Sequence, residues 1–393
     1  MKKTIEDIDV TGKKVLLRCD FNVPLDENKN ITDTARIDKA LPTIKYLLDH
    51  NAKLILMSHL GRPKGKWNLE YSLEPVAKYF TEVLKMPLTF STDIIGEDTL
   101  SKVAYVKEGE ILLLENLRFD ERETSNDDIF AGKLANLADV YVNDAFGTAH
   151  RAHASTAGVT RYLPSVSGFL MGKEIEMLSK AVDNPEHPYV AIMGGAKVSD
   201  KIPLIENLLN IADKIIIGGG MSYTFIKALG GNIGKSLLEE DMLGKSLELL
   251  KLAKERNVKI ILPIDTVAGK EFTNDTEFVT CPITAIPEDY MGMDIGAVSV
   301  QMFSDELADA KTVVWNGPMG VFELDNFAVG TNEIAKFLGE LDAITIVGGG
   351  DSASAIKKLG LIDKFTHIST GGGASLEFIE GKKLPGVEAL EDK

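Results

Sequence analysis

The stretch Ile344 to Ile356 reads ITIVGGGDSASAI: apolar and β-branched residues run into three glycines, and a helical pattern with small residues follows. A strand hands over to a helix in this way around a phosphate, because glycine lets backbone amides approach the anion. Gly348, Gly350 and Ala353 match the loose G-x-G-x-x-A spacing, yet Asp351 puts a carboxylate where a polyanion should lie. A divalent cation between the two removes the repulsion, and magnesium prefers one or two carboxylates together with phosphate oxygens and water. Asp351 therefore fits a Mg²⁺-nucleotide site, while simple capping of the following helix is the other reading. In GGAKVSDK, Lys197 and Lys201 stand at i and i+4. That spacing predicts one face of a helix opened by the glycines, with two cations available to a polyphosphate.

Other nucleotide motifs are absent. Leu229 and Glu239 occupy the first-glycine places ahead of Gly234-Lys235-Ser236 and Gly244-Lys245-Ser246, so these read as solvated helix ends and the chain has no P-loop. Asp363 lies 12 residues beyond Asp351, where a dinucleotide fold wants an acidic residue about 20 beyond its glycines.

Short apolar runs recur between amphipathic helical stretches along the whole chain. KKVLLRCDFNV, AKLILMSHLG, EILLLENLRF and ADVYVNDAFG lie in the first half. YVAIMGGAKV, KIIIGGGMS, VKIILPIDTV, KTVVWNGPMG, AITIVGGGDS and THISTGGGAS lie in the second. Near-continuous apolar strands between helices indicate parallel sheets covered on both faces. Ten such units exceed one sheet, which predicts two doubly wound, Rossmann-like α/β domains. GFLMGKEIEMLSKAVDN reads as a joining helix that ends before the prolines of NPEHPY.

In such sheets ligands bind beyond the carboxyl ends of the strands. Those ends carry side chains in the first half: Asp20 and Asn22, His59 and Arg62, Glu115, Asn116 and Arg118, then Asn143 and Asp144 with His150, Arg151 and His153 following. In the second half they carry mostly bare backbone, at residues 194–197, 218–220, 316–318, 348–351 and 371–373. Seven of the eight arginines lie in the first 161 residues. Forked cations suit a small, highly charged anion. A donor whose phosphates meet amides and an anionic acceptor in the other half suggest phosphoryl transfer, which rests on positioning and charge neutralisation. An acceptor that is itself a carboxylate would need no general base.

The net charge of −16 argues against nucleic acid or an anionic membrane as a partner. No apolar run approaches the roughly 18 residues of a membrane span, and the start MKKTIEDIDV has no apolar leader core, so a soluble, cytoplasmic protein is expected. Cys19 and Cys281 are too few and too far apart for a metal site or disulfide framework.

The blocks RCDFNVPL, TARI, SHLGRPKG, LLENLRF, NDAFGTAHRAHAST, GGAKVSDK, WNGPMGVFE, VGGGDS and STGGGASLE, in this order over nearly the whole chain, resemble the phosphoglycerate kinases. The resemblance implies reversible transfer between ATP and the carboxylate of 3-phosphoglycerate, giving ADP and 1,3-bisphosphoglycerate, with Mg²⁺, in a typically monomeric enzyme that closes about a hinge. It implies a substrate domain over residues 1–170, a hinge over 171–186 and a nucleotide domain over 187–379, with the tail 380–393 returning to the first domain. Asp20, Phe21 and Asn22 would hold the glycerate end. His59, Leu60, Gly61, Arg62, Arg118 and Arg151 would surround the 3-phosphate, and Arg36 would neutralise the moving phosphoryl group. Lys197 and Lys201 would contact the nucleotide phosphates and the transferring group, beside Asn316, Gly349, Gly350 and Ser352, with Asp351 as the Mg²⁺ ligand. Glu323 would accept the ribose hydroxyls, Gly292 would line the adenine slot, and Gly372 would help open a helix aimed at the transferred group. Ala297 stands where the family usually has proline. The rival readings are a dehydrogenase using the Gly348 turn, and a non-catalytic nucleotide-binding protein of the same fold.

Overall fold

The structure, a computed structural model, describes residues 1–393 and divides into two compact units. One comprises Met1–Glu176 with Lys383–Lys393, the other Met177–Lys382. The chain passes between them within the helix Phe169–Val182 and again after Lys382.

In the first unit, β1 (Lys14–Arg18), β2 (Lys53–Met57), β3 (Leu88–Phe90), β4 (Ile111–Leu113), β5 (Val140–Asn143) and β6 (Ser165–Ser167) form a parallel sheet in the order β3-β4-β2-β1-β5-β6. The chain starts in the middle and winds outward both ways, so helices cover both faces and the strand residues are buried on both. Each fully buried Val, Leu or Ile there contributes about 1.5–3 kcal/mol, which makes the sheet a rigid base for the loop after each strand. Register aligns the strand ends: Arg18 lies beside Met57 and Asn143. Residues 19–22, 58–62 and 144 onward therefore emerge at one edge. β3 and β6 are three-residue edge strands that the apolar pattern does not reveal. The outer edge of β6 is closed by both ends of the chain, through Lys3 N donating to Glu391 O (2.8 Å) and Glu391 N donating to Ser165 O (3.0 Å).

Just beyond β5, Asp144 is wholly buried. Its Oδ1 accepts from Met171 N at 3.0 Å, while Oδ2 has no partner. Burial pushes its pKa up to about 7 from 3.8. The unfolded chain ionises this carboxyl near its ordinary value and the folded chain only near neutrality. Stability from Asp144 is therefore present at acid pH and declines as pH rises from about 4 to about 7. Urea midpoints measured across that window should fall in the parent and fall less steeply in Asp144→Asn; parallel profiles would contradict the assignment.

The second unit contains β7 (Tyr189–Met193), β8 (Lys214–Ile217), β9 (Asn232–Ile233), β10 (Lys259–Ile261), β11 (Asp265–Gly269), β12 (Phe278–Pro282), β13 (Ala285–Ile286), β14 (Met291–Ile295), β15 (Thr312–Asn316), β16 (Ile344–Gly348) and β17 (His367–Ile368). Six of them make a second parallel sheet, β10-β8-β7-β15-β16-β17. β12-β11-β14 form a small antiparallel sheet, and β13 pairs with β9. These small sheets are additions to the predicted pair. Asn316 is the register neighbour of both Met193 and Gly348, so the glycine turns after β7 and β16 flank one residue. Ala297 begins the helix Ala297–Leu307, a first-turn position where proline is favoured and no helical N–H bond is lost without it. The amides of Val298 and Ser299 are capped by the Asp265 carboxylate at 3.1 and 2.8 Å. No helix is long and apolar enough to cross a membrane.

Candidate functional site

The edge beyond β1, β2, β4 and β5 gathers the predicted side chains of the first unit. Phe21 is buried, and its N–H donates to Ser58 Oγ (2.8 Å), which in turn donates to Cys19 O (2.8 Å). This stitches the β1 and β2 loops together. Asn22 Oδ1 accepts from Gly61 N (2.8 Å). Gly61 has φ +60°, and a Cβ there would sit 2.3 Å from the Tyr71 ring, so only glycine serves. Arg118 Nη1 donates to Gly61 O (2.9 Å), and Asn116 Nδ2 donates to Leu60 O (2.7 Å), tying the β4 loop to the β2 loop. Arg36, near the start of the helix Ala35–Asp49, donates through Nη1 to both oxygens of Asp20 at 2.9 Å. Arg62 and Arg151 are exposed.

Beneath them lies a buried charge network. Arg18 is wholly buried; its Nε donates to Ser155 Oγ (2.9 Å) and its Nη2 to His59 Nδ1 (3.2 Å). Arginine can only donate, so His59 carries its proton on Nε2. Ser155 donates from Oγ (2.6 Å) and N (3.0 Å) to Glu123, which is also fully buried. Burial and the charges of Arg18, Arg118 and Arg36 hold His59 well below its ordinary pKa. Burial, then Arg18, Arg118 and Arg151, bring His153 down to about 4. Burial and the charges of Arg18 and Arg151 bring Arg118 down to about 10. Three arginines thus crowd two neutral histidines, and Arg118 Nε is buried without a partner. An excess of cation, with two of the three guanidinium groups buried and one donor unfilled, is a place for an anion. Glu123 and Ser155 were not singled out in the sequence, since Glu123 sits in FDERETSN among surface charges and carries no distinguishing signal.

In the second unit the helix expected over Lys197 and Lys201 is absent. The chain stays in a turn until Ile202, with Lys201 as the N-cap residue, because Pro203 fixes the helix start and the Glu239 carboxylate takes the amides of Val198 (2.6 Å) and Ser199 (3.2 Å). Lys201 Nζ nevertheless reaches Asn316 Oδ1, while Lys197 is exposed. Burial lowers the Lys201 pKa against the pull of Asp200, Glu380 and Asp351. Asn316 Nδ2 is buried without a partner. A Cβ on Gly349 (φ +91°) would approach it to 3.0 Å.

The glycines divide into two groups. Gly194, Gly218, Gly219 and Gly317 are required by neighbouring protein atoms; a Cβ on Gly194, for example, would lie 2.1 Å from Pro318 O. Gly195, Gly350 and Gly372 have nothing within 4 Å. Gly350 begins the helix Gly350–Lys358, whose first amides are unbonded within it, and Gly372 caps the helix Gly373–Ile379. Ser352 is buried, its Oγ accepting from Gly317 N (2.8 Å), and Trp315 Nε1 donates to Gly317 O (2.8 Å), so the turn beside Asn316 is held from the core. Asp351 is exposed at the first turn and makes no hydrogen bond or ion pair. Gly292 leaves room for the Tyr223 ring, 2.2 Å from where its Cβ would be, and Glu323 is exposed. The two decoy motifs also separate. Residues 244–246 lie in the first turn of the helix Leu243–Glu255, but Ser246 is wholly buried rather than solvated, and Ser236 is buried in a turn, where it accepts from Gly292 N (2.8 Å).

A family described as phosphoglycerate kinase matches residues 5–382. The chain belongs to that family. The phosphoglycerate kinases of Clostridium tetani and Clostridium botulinum are each 56% identical to it over 395 aligned residues, covering all of this chain and 98% and 99% of theirs. The solved phosphoglycerate kinase of Coxiella burnetii superposes with a TM-score of 0.91 at 40% identity, covering 99% of this chain and 98% of that one. The Pyrococcus horikoshii kinase gives 0.81 at 35% identity, with the same coverage. The kinase catalyses ATP-dependent phosphoryl transfer with a carboxylate as acceptor, which sets aside the dinucleotide reading of Gly348.

Proposed function

We propose that the two edges divide the phosphoglycerate kinase reaction between them. The first unit holds 3-phosphoglycerate and the second holds the adenine nucleotide. The crowding of Arg18, Arg118 and Arg151 around neutral His59 and His153 carries this reading, because a dianionic phosphate supplies the counter-charge that the protein lacks there. Arg62, Arg118, Arg151 and the His59 Nε2–H serve the 3-phosphate, with Leu60 and Gly61 shaping the loop. Asp20 and Asn22 orient the glycerate end beside Phe21. Arg36 leaves its exposed pair with Asp20 readily, since such a pair is worth at most about 1 kcal/mol, and turns to the moving phosphoryl group.

On the other side, Lys197, Lys201, the orphaned Asn316 Nδ2 and the amides of Gly349, Gly350 and Ser352 receive the nucleotide phosphates, and Gly372 adds an amide for the transferred group. Glu323 takes the ribose and Gly292 the adenine edge. No group of three acidic, His or Cys residues could hold a metal alone. The single unpaired Asp351, beside open Gly350, fits a Mg²⁺ shared with phosphate oxygens, an ion that neutralises phosphate charge when bound. Since each ligand sits on its own unit, transfer requires closure that excludes water, assigned to the hinge over 171–186. The net charge supports a protein with no nucleic-acid or anionic-membrane partner, and membership of the family supports a cytoplasmic monomer.

A coupled assay with MgATP and 3-phosphoglycerate tests the reading. Turnover that depends on both substrates and on Mg²⁺ is expected. Folded protein that binds ADP without turnover would leave a non-catalytic member of the fold.

A further inference from the structure

The segment Gly234–Glu239, a failed nucleotide motif in the sequence, contacts both ends of the nucleotide edge. At one end Ser236 Oγ accepts from Gly292 N (2.8 Å) and donates to Ile233 O (2.5 Å). At the other, Glu239 takes three donors from the lysine turn: Val198 N (2.6 Å), Ser199 N (3.2 Å) and Ser199 Oγ (2.5 Å). Glu239 is itself fixed, its N–H donating to the buried Thr224 Oγ1 at 3.2 Å. Burial alone would raise its carboxyl, but the bonds from Ser199 and Val198 and the charge of Lys197 outweigh that and hold it below its ordinary pKa. A permanent carboxylate beside a polyphosphate site repels the ligand unless it does something else there. What it does is visible: it replaces the helical hydrogen bonds that the stretch 197–201 would otherwise make, and so sets where both lysines start.

We propose that Glu239 is a positioning residue for phosphoryl transfer, acting through the turn Lys197–Lys201, and that the segment Gly234–Glu239 ties the base end of the nucleotide site to its phosphate end. The inference rests on the nucleotide reading of Lys197, Lys201 and Gly292. Misplacing a phosphate contact by about 1 Å costs up to about 100-fold in rate. Glu239→Ala should therefore lower kcat/KM for ATP by roughly 30-fold while KM for 3-phosphoglycerate stays within about twofold. Glu239→Gln, which keeps one acceptor oxygen, should recover part of the loss, and Ser199→Ala should show a smaller loss of the same kind.

The deciding measurement is a double-mutant cycle with Lys197→Ala. If Glu239 acts through the turn, Glu239→Ala should cost less than about threefold more once Lys197 is gone. A full, additive loss in that background, or a loss shared equally by both substrates with a lowered melting temperature, would assign Glu239 a structural role only. Failure of the underlying reading looks different: Lys197→Ala alone would leave ATP kinetics unchanged. Should Glu239→Ala not fold, the same cycle run with Ser199→Ala decides.

Discussion

Arg36→Ala should lose about three orders of magnitude in kcat, the range found when a donor that serves only the transition state is removed. Its position supports so large a loss. Arg36 lies near the start of its helix, exposed, and its only polar partner is Asp20, through one Nη1 shared between two oxygens. Nothing in the fold depends on it: a surface pair contributes about 0–1 kcal/mol, so the melting temperature should hardly move. Affinity for MgADP should also be unchanged, because every proposed nucleotide contact comes from the other unit. KM for 3-phosphoglycerate should shift only a few-fold, since the arginines beyond β2, β4 and β5 remain. Arg36→Lys keeps the charge and loses the planar fork, so it should recover only part of the rate. Steady-state kinetics with both substrates varied, beside calorimetric titration of MgADP, separates these terms. A loss confined to KM would make Arg36 a binding residue and move the neutralising role elsewhere.

Much of this was legible in the sequence, and the rest was hidden for identifiable physical reasons. Strands buried on both faces read as apolar runs, so β1, β2, β5, β7, β8, β15 and β16 are visible without a structure, and with them two wound sheets. β12 alternates between exposed and half-buried residues, and β3 (LTF) and β6 (SVS) interrupt their apolar residues with Thr or Ser, so none of them stands out from a loop, whereas the equally short β4 (ILL) does. The lysine turn misled for another reason. Its spacing is helical, but its amides are claimed by a carboxylate 40 or 41 residues away, which no local pattern encodes. Glycine was ambiguous in the same sense. Gly194 and Gly350 look alike in sequence, yet one makes room for a neighbouring carbonyl and the other leaves its backbone open. The candidate residues of the first unit were easier, because charged side chains at the carboxyl ends of buried strands have few other uses.

Glu123→Ala should cost about 3–5 kcal/mol of stability, the typical loss when one member of a buried charge pair is removed. Glu123 is completely buried and is the carboxylate closest in the hydrogen-bond chain to Arg18, through Ser155. Burial raises its own pKa while Arg18 pulls it back, so the carboxylate is held there at a cost that hydrophobic packing would not incur. That cost makes sense if the cations above it are kept for a ligand and need partial neutralisation when none is bound. Glu123→Gln preserves shape and an acceptor for Ser155, so it should lose less than the alanine variant while leaving Arg18, Arg118 and Arg151 short of negative charge. An anion should then substitute for the missing carboxylate. Saturating phosphate or 3-phosphoglycerate should raise the melting temperature of Glu123→Gln by more than it raises that of the parent, because at a fixed ligand concentration stabilisation grows with the logarithm of the affinity for the folded state. Equal upshifts would mean that Glu123 supports only packing, and the charge argument for the anion site would then have to rest on the unfilled Arg118 Nε alone.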